Sequence, residues 1–434
     1  MSSRGDGAMV IHERTQHPVG QGFFHSALVN GEKGPVSYVV DCGSMSKYAS
    51  ARKARVRSYI KDLGPRRQLD ILYITHFHVD HVSGLEELLH EKRGLRVGTI
   101  VMPLLNDVDR LIAFARSYVE DRASANTEFY RSFVADPSSA ISRFNPRRII
   151  FVQSSRGDGG APGSIEPPTE PFDPDLSARV DSVEAWKFTG LGRVGRYPDG
   201  STDNNDGTGA LIAPDTTAVV VSSFGSDWLL APFVDPGISQ DQTKFLRALA
   251  KERGLSLPKL KSWLEDIENL KTLLTSDVAD LIAAYDAVTV DLNITSLCLY
   301  SGPVNGFSLS MRGESFATNK GEHWWLLSHR VAWLGTGDAA LASGKRRKAF
   351  LKHYGRLLNN VGVLTLPHHG SENNFHDELV TKISPRLTMA AADRYSKWRH
   401  PGAYVVQSIC SHGSAVHVVT SKLPSLLREY VELF

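Results

Sequence analysis

The chain has 434 residues, of which 41% are hydrophobic and 22% are charged, and these proportions argue against a disordered, collagen-like or coiled-coil protein. The 49 Lys and Arg residues nearly balance the 47 Asp and Glu residues, so the net charge of +2 creates no overall field for a polyanion. Three widely spaced cysteines encode neither a disulfide framework nor a cysteine-rich zinc site, so a metal ion would need histidine and carboxylate ligands. No uncharged apolar run of 18 residues and no apolar leader segment are found, and we expect a cytoplasmic protein without a membrane segment.

The first hundred residues alternate strand and helix patterns. Apolar runs at 36–41 and 69–75 predict strands, whereas 48–62 predicts a basic helix and 84–91 the start of another helix. This order is typical of a sheet covered by helices, in which ligands bind at the carboxyl ends of the strands.

The middle of the chain carries weaker signals. Residues 106–145 have a helical pattern, and residues 156–175 form a Gly- and Pro-rich linker. Two short strands are predicted at 210–212 and 218–223, and a second helical pattern covers 239–288. We interpret residues 104–290 as a largely helical insertion, made of a cap and a linker. It would cover the active site or bind a protein partner, and a purely structural role is the alternative.

Apolar runs return in the last third of the chain. They predict strands at residues 295–300, 331–335, 361–366 and 416–420, most of them ending near a Gly, His or Asp. Two facing sheets with helices outside would bring these ends to the same edge as those of the first half.

Three histidines and an aspartate follow the strand predicted at residues 69–75. Such a cluster is hard to explain by packing, because each buried polar group needs a partner. His76 and His78 lie two residues apart in an extended segment, so both can bind one metal ion, while Asp80 and His81 follow the turn and reach toward a second ion. Imidazole and carboxylate ligands suit zinc, manganese or iron.

The pattern HxHxDH after an apolar strand resembles the signature of the metallo-β-lactamase superfamily, which implies an α/β fold, the αββα sandwich. Asp41 of Asp41-Cys42-Gly43 matches the family's Asp-x-Gly, whose carboxylate supports the metal-binding loop. Asp338 matches the aspartate of the family's Gly-Asp, which bridges two metal ions. The resemblance implies a dinuclear site, with Zn or Mn, whose ligands are His76, His78, Asp80, His81, Asp338 and one or both of His368 and His369.

Further motifs resemble one branch of the superfamily, the hydrolase domain of bacterial competence proteins, which process DNA during uptake, and related phosphodiesterases. These motifs are Val19-Gly20-Gln21-Gly22, the Asn-x-x-Ser-Leu of residues 293–297, His-His-Gly-Ser at 368–371 and His400-Pro401. The resemblance covers roughly residues 9–103 and 291–422. It predicts a first half of the core at 9–103, the insertion at 104–290, and a second half of the core with a C-terminal helix at 291–434.

The sequence departs from this branch in two places. Phe23 stands where the branch usually has aspartate, and no histidine appears at the superfamily's third metal motif, because His323 and His329 lie too close to Asp338. His368 and His369 would then have different roles. One would bind a metal, and the other would contact substrate or complete the ligands of the other metal; the sequence does not decide which histidine has which role.

Residues near the last motifs are candidates for substrate contact. His400 matches the family's His-Pro and is a candidate catalytic residue together with Asp80 and Asp338. The basic neighbours of His400 could neutralise a phosphate, and two polar residues of the strand near 295 could contact substrate. These candidates are Arg394, Lys397, Arg399, Asn293 and Ser296.

The predicted activity is hydrolysis by metal-activated water, with Asp338 between the ions and Asp80 accepting the proton. A phosphodiester is the preferred substrate, and it could be nucleic acid, a cyclic nucleotide or a small diester. The same ligands in this superfamily also cleave lactones, thioesters and β-lactams, so another hydrolase is one alternative. A non-catalytic protein, with structural metals and a partner bound by residues 104–290, is the other.

Overall fold

The structure is a computed structural model that describes residues 9–90, 95–155, 185–190, 195–196, 209–223, 227–235, 239–288, 295–304, 311–319, 322–396 and 398–433. Its strands are β1 Met9–Gln16, β2 Phe24–Gly31, β3 Gly34–Cys42, β4 Gln68–Tyr73, β5 Arg96–Pro103, β6 Arg148–Gln153, β7 Lys187–Gly190, β8 Gly195–Arg196, β9 Gly209–Pro214, β10 Thr217–Val221, β11 Trp228–Asp235, β12 Ser296–Pro303, β13 Met311–Asn319, β14 Glu322–Ser328, β15 Ala332–Gly335, β16 Val361–Thr365, β17 Leu387–Ala391, β18 Ala415–Val419 and β19 Leu427–Leu433.

The α-helices are α1 Ala49–Asp62, α2 Val79–Val82, α3 Leu85–Leu89, α4 Asp107–Glu120, α5 Arg122–Ala125, α6 Glu128–Ala135, α7 Pro137–Ser142, α8 Ser239–Glu252, α9 Leu257–Leu264, α10 Ile267–Leu273, α11 Val278–Asp286, α12 Gly344–Tyr354, α13 Glu378–Ile383 and α14 Ala403–Ser411. Short 3-10 turns lie at Ser46–Tyr48, Gly64–Arg66, Gly355–Asn360, Pro367–Gly370 and Leu423–Ser425. Among the described helices, none combines the length and the apolar character needed to span a bilayer.

The strands form two mixed sheets. The first has the order β14-β13-β19-β1-β2-β3-β4-β5-β6-β9-β8, and the second has the order β18-β17-β16-β15-β12-β11-β10-β7. Strands β3, β4, β5, β6 and β9 are parallel to their neighbours in that run, and so are β15 to β18. Parallel strands place their carboxyl ends at one edge, and both runs are followed by the polar residues that form the candidate site.

Three apolar cores define the layers. The core between the sheets combines residues of both, such as Tyr38 and Tyr73 of the first sheet with Trp333 and Met389 of the second. A second core joins the other face of the first sheet to helices α1 to α11, and a third joins the other face of the second sheet to α12, α13 and α14. The order is therefore helix, sheet, sheet, helix, and the predicted αββα sandwich is confirmed.

The segment predicted as an insertion also contributes strands to both sheets. Strands β6, β8 and β9 extend the first sheet, whereas β7, β10 and β11 extend the second. The two short strands expected near residues 210–223 form, but they belong to different sheets. The linker predicted at 156–175 lies outside the described residues, and the division of the chain into three parts stays a prediction.

Near its C-terminal end the described chain contains helix α14, followed by β18 and then β19. Strand β19 pairs with β1 and β13 and so joins the two ends of the described chain in one sheet.

Helix α4 brings the middle segment to the site edge. It begins after Asn106, whose side chain accepts the Asp109 N–H, and its residues Leu111 and Phe114 are buried in the core beneath the first sheet. Its last turn carries Arg116 and Glu120 on the side that faces the histidines, as shown by their contacts below.

Candidate metal centre

Three loops at the carboxyl ends of strands bring the predicted ligands together. The loops follow β4, β15 and β16. Within them, three groups of buried side chains have potential ligand atoms that all lie within 4.8 Å of one another. The groups are His76 with His78 and Asp80, His76 with His81 and Asp338, and Asp80 with His81 and His369.

Asp41, at the end of β3, holds the metal-binding loop by hydrogen bonds. Its fully buried carboxylate accepts the Thr75 N–H at 2.7 Å, the Thr75 hydroxyl at 2.6 Å and the His81 Nδ1–H at 2.7 Å. Its φ of 54° lies in the left-handed region that Asp adopts more readily than most residues. Because Nδ1 of His81 donates to Asp41, Nε2 is the nitrogen left to bind a cation.

Asp338 is positioned by close packing of its own loop. Its N–H donates to Ser296 Oγ at 3.0 Å, and its carbonyl accepts from Asn374 Nδ2 at 3.2 Å. The preceding Gly337 has a φ of +50°, and a Cβ there would lie 2.5 Å from Ser296 Oγ. Only glycine fits this turn without displacing Asp338.

The structure distinguishes the two histidines that the sequence left open. Asn374 donates its amide hydrogens to the carbonyls of Asp338 and Ala339, so its Oδ1 accepts from His368 Nδ1 at 3.0 Å. Nε2 of His368 is then unprotonated, and it accepts from Arg116 Nη2 at 2.8 Å. Both nitrogens of His368 therefore have protein partners.

His369 has the opposite arrangement. Its Nδ1–H donates to the Ala391 carbonyl at 2.7 Å, and its Nε2 lies 3.0 Å from Asp80 Oδ2. A nitrogen and a carboxylate oxygen this close are stable together only with a proton between them or a cation near both. Both histidines have a positive φ, 48° and 57°, which is uncommon for residues other than glycine and typical of constrained sites.

The donor set fits a metal ion by its unpaired atoms. His78 Nε2, His81 Nε2 and Asp338 Oδ1 are buried, and none of them has a hydrogen-bond partner among the described residues. Burial opposes protonation of His81, but the carboxylates of Asp41 and Asp80 outweigh it and raise the pKa of His81 to about 9. A positive charge at Nε2 of His81, from a proton or a metal, is therefore favoured. Burial likewise opposes ionisation of Asp338, yet the surrounding histidines hold its pKa well below the usual value, so it stays an anionic donor.

Arg116 is a site residue that the sequence reasoning missed. Its guanidinium is only 7% exposed and donates to His368 Nε2 and, through Nε, to Glu120 Oε1 at 2.9 Å. Burial and the Arg116 charge together lower the pKa of His78 to about 3, although Asp338 opposes them, so His78 presents a neutral imidazole. The i,i+4 spacing of Arg116 and Glu120 on one helix is typical of a surface ion pair, so no local pattern marks Arg116 as a site residue.

Phe23, which stands where the competence-protein branch has aspartate, packs against a ligand. Its ring is parallel to that of His81, with an interplanar angle of 3° and 5.9 Å between centroids. Its N–H donates to the Asp80 carbonyl at 3.2 Å. The departure therefore replaces a polar group with an apolar support for the metal-binding loop.

The residues predicted to contact substrate differ in their exposure. Ser296 is fully buried, and its hydroxyl accepts the Asp338 N–H; its contact with substrate stays a prediction. Arg394 and Arg399 are exposed. His400 is half-buried, with its ring centroid 5.9 Å from that of His368. Lys397 and Asn293 lie outside the described residues.

One of three comparisons with known proteins supports the superfamily. Residues 20–99 match the family model described as the metallo-beta-lactamase superfamily, which confirms the superfamily recognised in the sequence. A search of curated proteins finds no match. Among solved structures, the crystal structure of a long form RNase Z from yeast is similar at 8% identity and a TM-score of 0.28, over 96% of this chain and 41% of that chain. The chain thus spans less than half of that protein, and so weak a likeness carries no conclusion about activity. The closer likeness to competence proteins stays a prediction.

Proposed function

We propose that the protein is a metal-dependent hydrolase that cleaves phosphodiesters, using two divalent ions, Zn or Mn. The observation that carries the proposal is the convergence of three overlapping His and Asp groups at one sheet edge, with unpaired buried nitrogen and oxygen atoms facing one another. When bound, such ions lower the pKa of a water molecule toward neutrality and stabilise charge on the attacking and leaving oxygens.

The roles of the chain's own residues follow from their contacts. Asp41 and the Ala391 carbonyl keep Nδ1 of His81 and His369 protonated, so both rings offer Nε2 as a ligand atom. The Asp338 carboxylate lies 3.2 Å from His76 Nε2, 3.6 Å from His78 Nδ1 and 3.8 Å from His81 Nε2, and we propose that it holds both ions. Burial opposes ionisation of Asp80, but His81 and His369 lower its pKa, so it stays ionised as a proposed ligand and proton acceptor.

His368 and His400 lie beside this ligand set. We propose that His368 does not bind a metal but holds Arg116 toward substrate, because its two nitrogens are engaged by Asn374 and Arg116. Burial and the neighbouring histidines lower the pKa of His400 to about 3, so its ring is neutral at pH 7 and offers one donor and one acceptor near the reacting group.

An anionic substrate is supported by the buried cation beside the ligands. The Arg116 guanidinium lies one hydrogen bond from His368, whose Nε2 is 3.7 Å from Asp338 Oδ2. A guanidinium in a low-dielectric site stabilises a phosphate strongly, whereas a neutral lactone or thioester gains less from it. This charge favours a phosphodiester over the other bonds cleaved in the superfamily.

A substrate panel tests the proposal. Protein loaded with Zn or Mn is assayed on bis-p-nitrophenyl phosphate, single- and double-stranded DNA, RNA, a cyclic dinucleotide and a lactone, with Asp338→Ala as the matched negative control. We expect metal-dependent cleavage of a phosphodiester that is lost in the control. Turnover of the lactone alone would favour the other hydrolase, and full metal content without turnover of any substrate would favour a non-catalytic role.

A further inference from the structure

A row of aromatic rings leads away from the metal site at the side of Arg116. It begins at His368 and continues through His400 and Trp398 to Tyr395. Successive ring centroids are 5.9, 6.0 and 5.6 Å apart. The three rings after His368 are partly exposed, so the row joins the buried ligands to the surface.

The loop that carries these rings is held from two sides. The Tyr395 hydroxyl donates to the Glu120 carbonyl at 2.9 Å, so the end of α4 fixes the far end of the row. On the other side, the Arg394 carbonyl accepts from Lys47 Nζ at 2.7 Å and also from the Tyr48 hydroxyl. Because this loop is held in place before a ligand binds, it loses little conformational entropy on binding.

Charge and aromatic surface meet at the same helix end. Glu120, whose carbonyl holds Tyr395, also accepts Nε–H of Arg116 through its carboxylate. Arg116 therefore presents a cation beside the ligands at the start of the row, and the rings extend from it toward the surface. Arginine recognises phosphate, and aromatic faces stack on nucleobases of any sequence.

We propose that Arg116 and Trp398 form a nucleotide subsite, in which the guanidinium binds the phosphate next to the metals and the indole stacks on the adjacent base. The inference rests on the proposed function and deepens it, because it names a nucleotide phosphodiester as the substrate class. Trp398 sets specificity by contact with the base, while Arg116 contacts the phosphate that every diester carries. Loss of the indole should therefore affect only substrates with a base.

Equilibrium binding to the full-length, metal-loaded protein tests the subsite without requiring turnover. The probes are thymidine 5′-monophosphate and methyl phosphate, measured by calorimetry. The variants are Trp398→Ala, Arg116→Lys and the control Trp263→Ala. Trp263 lies in helix α9, and its partly buried indole packs under the Arg253 guanidinium. Stacking of one base is typically worth about a 5- to 150-fold change in affinity.

We expect the nucleotide to bind more tightly than methyl phosphate by a factor in this range, and Trp398→Ala to remove that advantage without weakening methyl phosphate. Arg116→Lys keeps the charge but loses the planar guanidinium with its paired donors, so it should weaken the binding of both probes equally. The Trp263→Ala protein should bind both probes like the wild type. Equal affinity of the wild type for both probes, or equal weakening of both by Trp398→Ala, overturns the subsite.

The outcome separates this inference from the proposed function. Preferential nucleotide binding that depends on Trp398, in a protein that cleaves no phosphodiester of the panel, supports the subsite and contradicts the hydrolase. Cleavage of bis-p-nitrophenyl phosphate by a protein that shows no preference for the nucleotide supports the hydrolase and contradicts the subsite.

Discussion

Replacing Asp41 with Asn tests whether the metal ligands are oriented by hydrogen bonds from β3. The carboxylate accepts three hydrogen bonds, two from Thr75 and one from His81. Asn keeps one acceptor oxygen and tolerates the positive φ, but it turns the other oxygen into an NH2 group that faces a buried donor. In place of Oδ2 this NH2 group faces two buried donors, the Thr75 hydroxyl and the His81 Nδ1–H, and each donor left unsatisfied costs about 1–3 kcal/mol of stability.

The same change should weaken metal binding beyond this loss of stability. Without the Asp41 charge the pKa of His81 falls, and Nδ1–H loses the acceptor that fixes the ring. Loss of such a supporting partner typically lowers metal affinity about 10- to 100-fold. Urea denaturation gives the free energy of unfolding, and titration against a competing chelator gives the metal affinity.

Asp70→Asn is the matched control for this experiment. Asp70 on β4 also joins neighbouring strands, because its Oδ2 accepts the Ser37 N–H at 2.7 Å and the Ser37 hydroxyl at 2.8 Å. Its hydrogen bonds within the described part of the chain go to Ser37 and Gln68 and not to the proposed ligands. Asp70→Asn should lower stability and leave metal affinity unchanged. If Asp41→Asn binds metal as tightly as the control protein, the orienting role of Asp41 is wrong.

Three further predictions concern single residues. His369→Gln should lose metal by elemental analysis, whereas His368→Gln should keep its metal content and lose activity; the opposite pattern would exchange their roles. Gly337→Ala should displace Asp338 and lower hydrolysis about 100-fold with unchanged circular dichroism, and normal turnover would show that the turn can adjust. Burial, aided by nearby arginines, lowers the pKa of His17 to about 3. In the unfolded chain His17 takes up a proton below pH 6.5, so its contribution to stability is full above that pH and falls by about 2 kcal/mol between pH 7 and 5. Other buried histidines such as His12 and His25 add to the total loss, so His17→Gln should reduce that loss by about 2 kcal/mol in urea titrations at both pH values.

The metal-binding loop could be predicted because its signal is local. Three histidines and an aspartate directly follow a buried strand, and the spacing of His76, His78, Asp80 and His81 carries its own chemical meaning. The structure brings all four together with Asp338, which lies more than 250 positions away in the sequence. Because each of these strands is followed by a polar residue, the sequence predicted that these residues would lie together at one sheet edge.

The middle of the chain could be predicted only in part. Its strands, such as Arg148–Gln153 and Thr217–Val221, are short apolar runs buried on both faces, and periodicity does not distinguish such runs from buried helix. The helices were visible from their amphipathic pattern, but not that α4 ends beside the ligands. The role of Arg116 depends on a contact with a histidine 252 positions away, which no local pattern encodes.

The choice between His368 and His369 also needed the structure. Both are adjacent, both have a positive φ, and either could bind a metal by residue type. They differ only in their hydrogen-bond partners, Asn374 and Arg116 for one and the Ala391 carbonyl for the other. Those partners come from three separate segments of the chain.

We propose that hydrolysis depends on metal ions held by these histidines and aspartates. This dependence is tested by titrating the metal-stripped protein with Zn or Mn while bis-p-nitrophenyl phosphate hydrolysis is followed, with Asp80→Ala in parallel. We predict no hydrolysis without metal, a rise that reaches its plateau at two equivalents per chain, and no rise in the variant. Full activity in the metal-stripped protein, or an unaltered titration with Asp80→Ala, would contradict the claim.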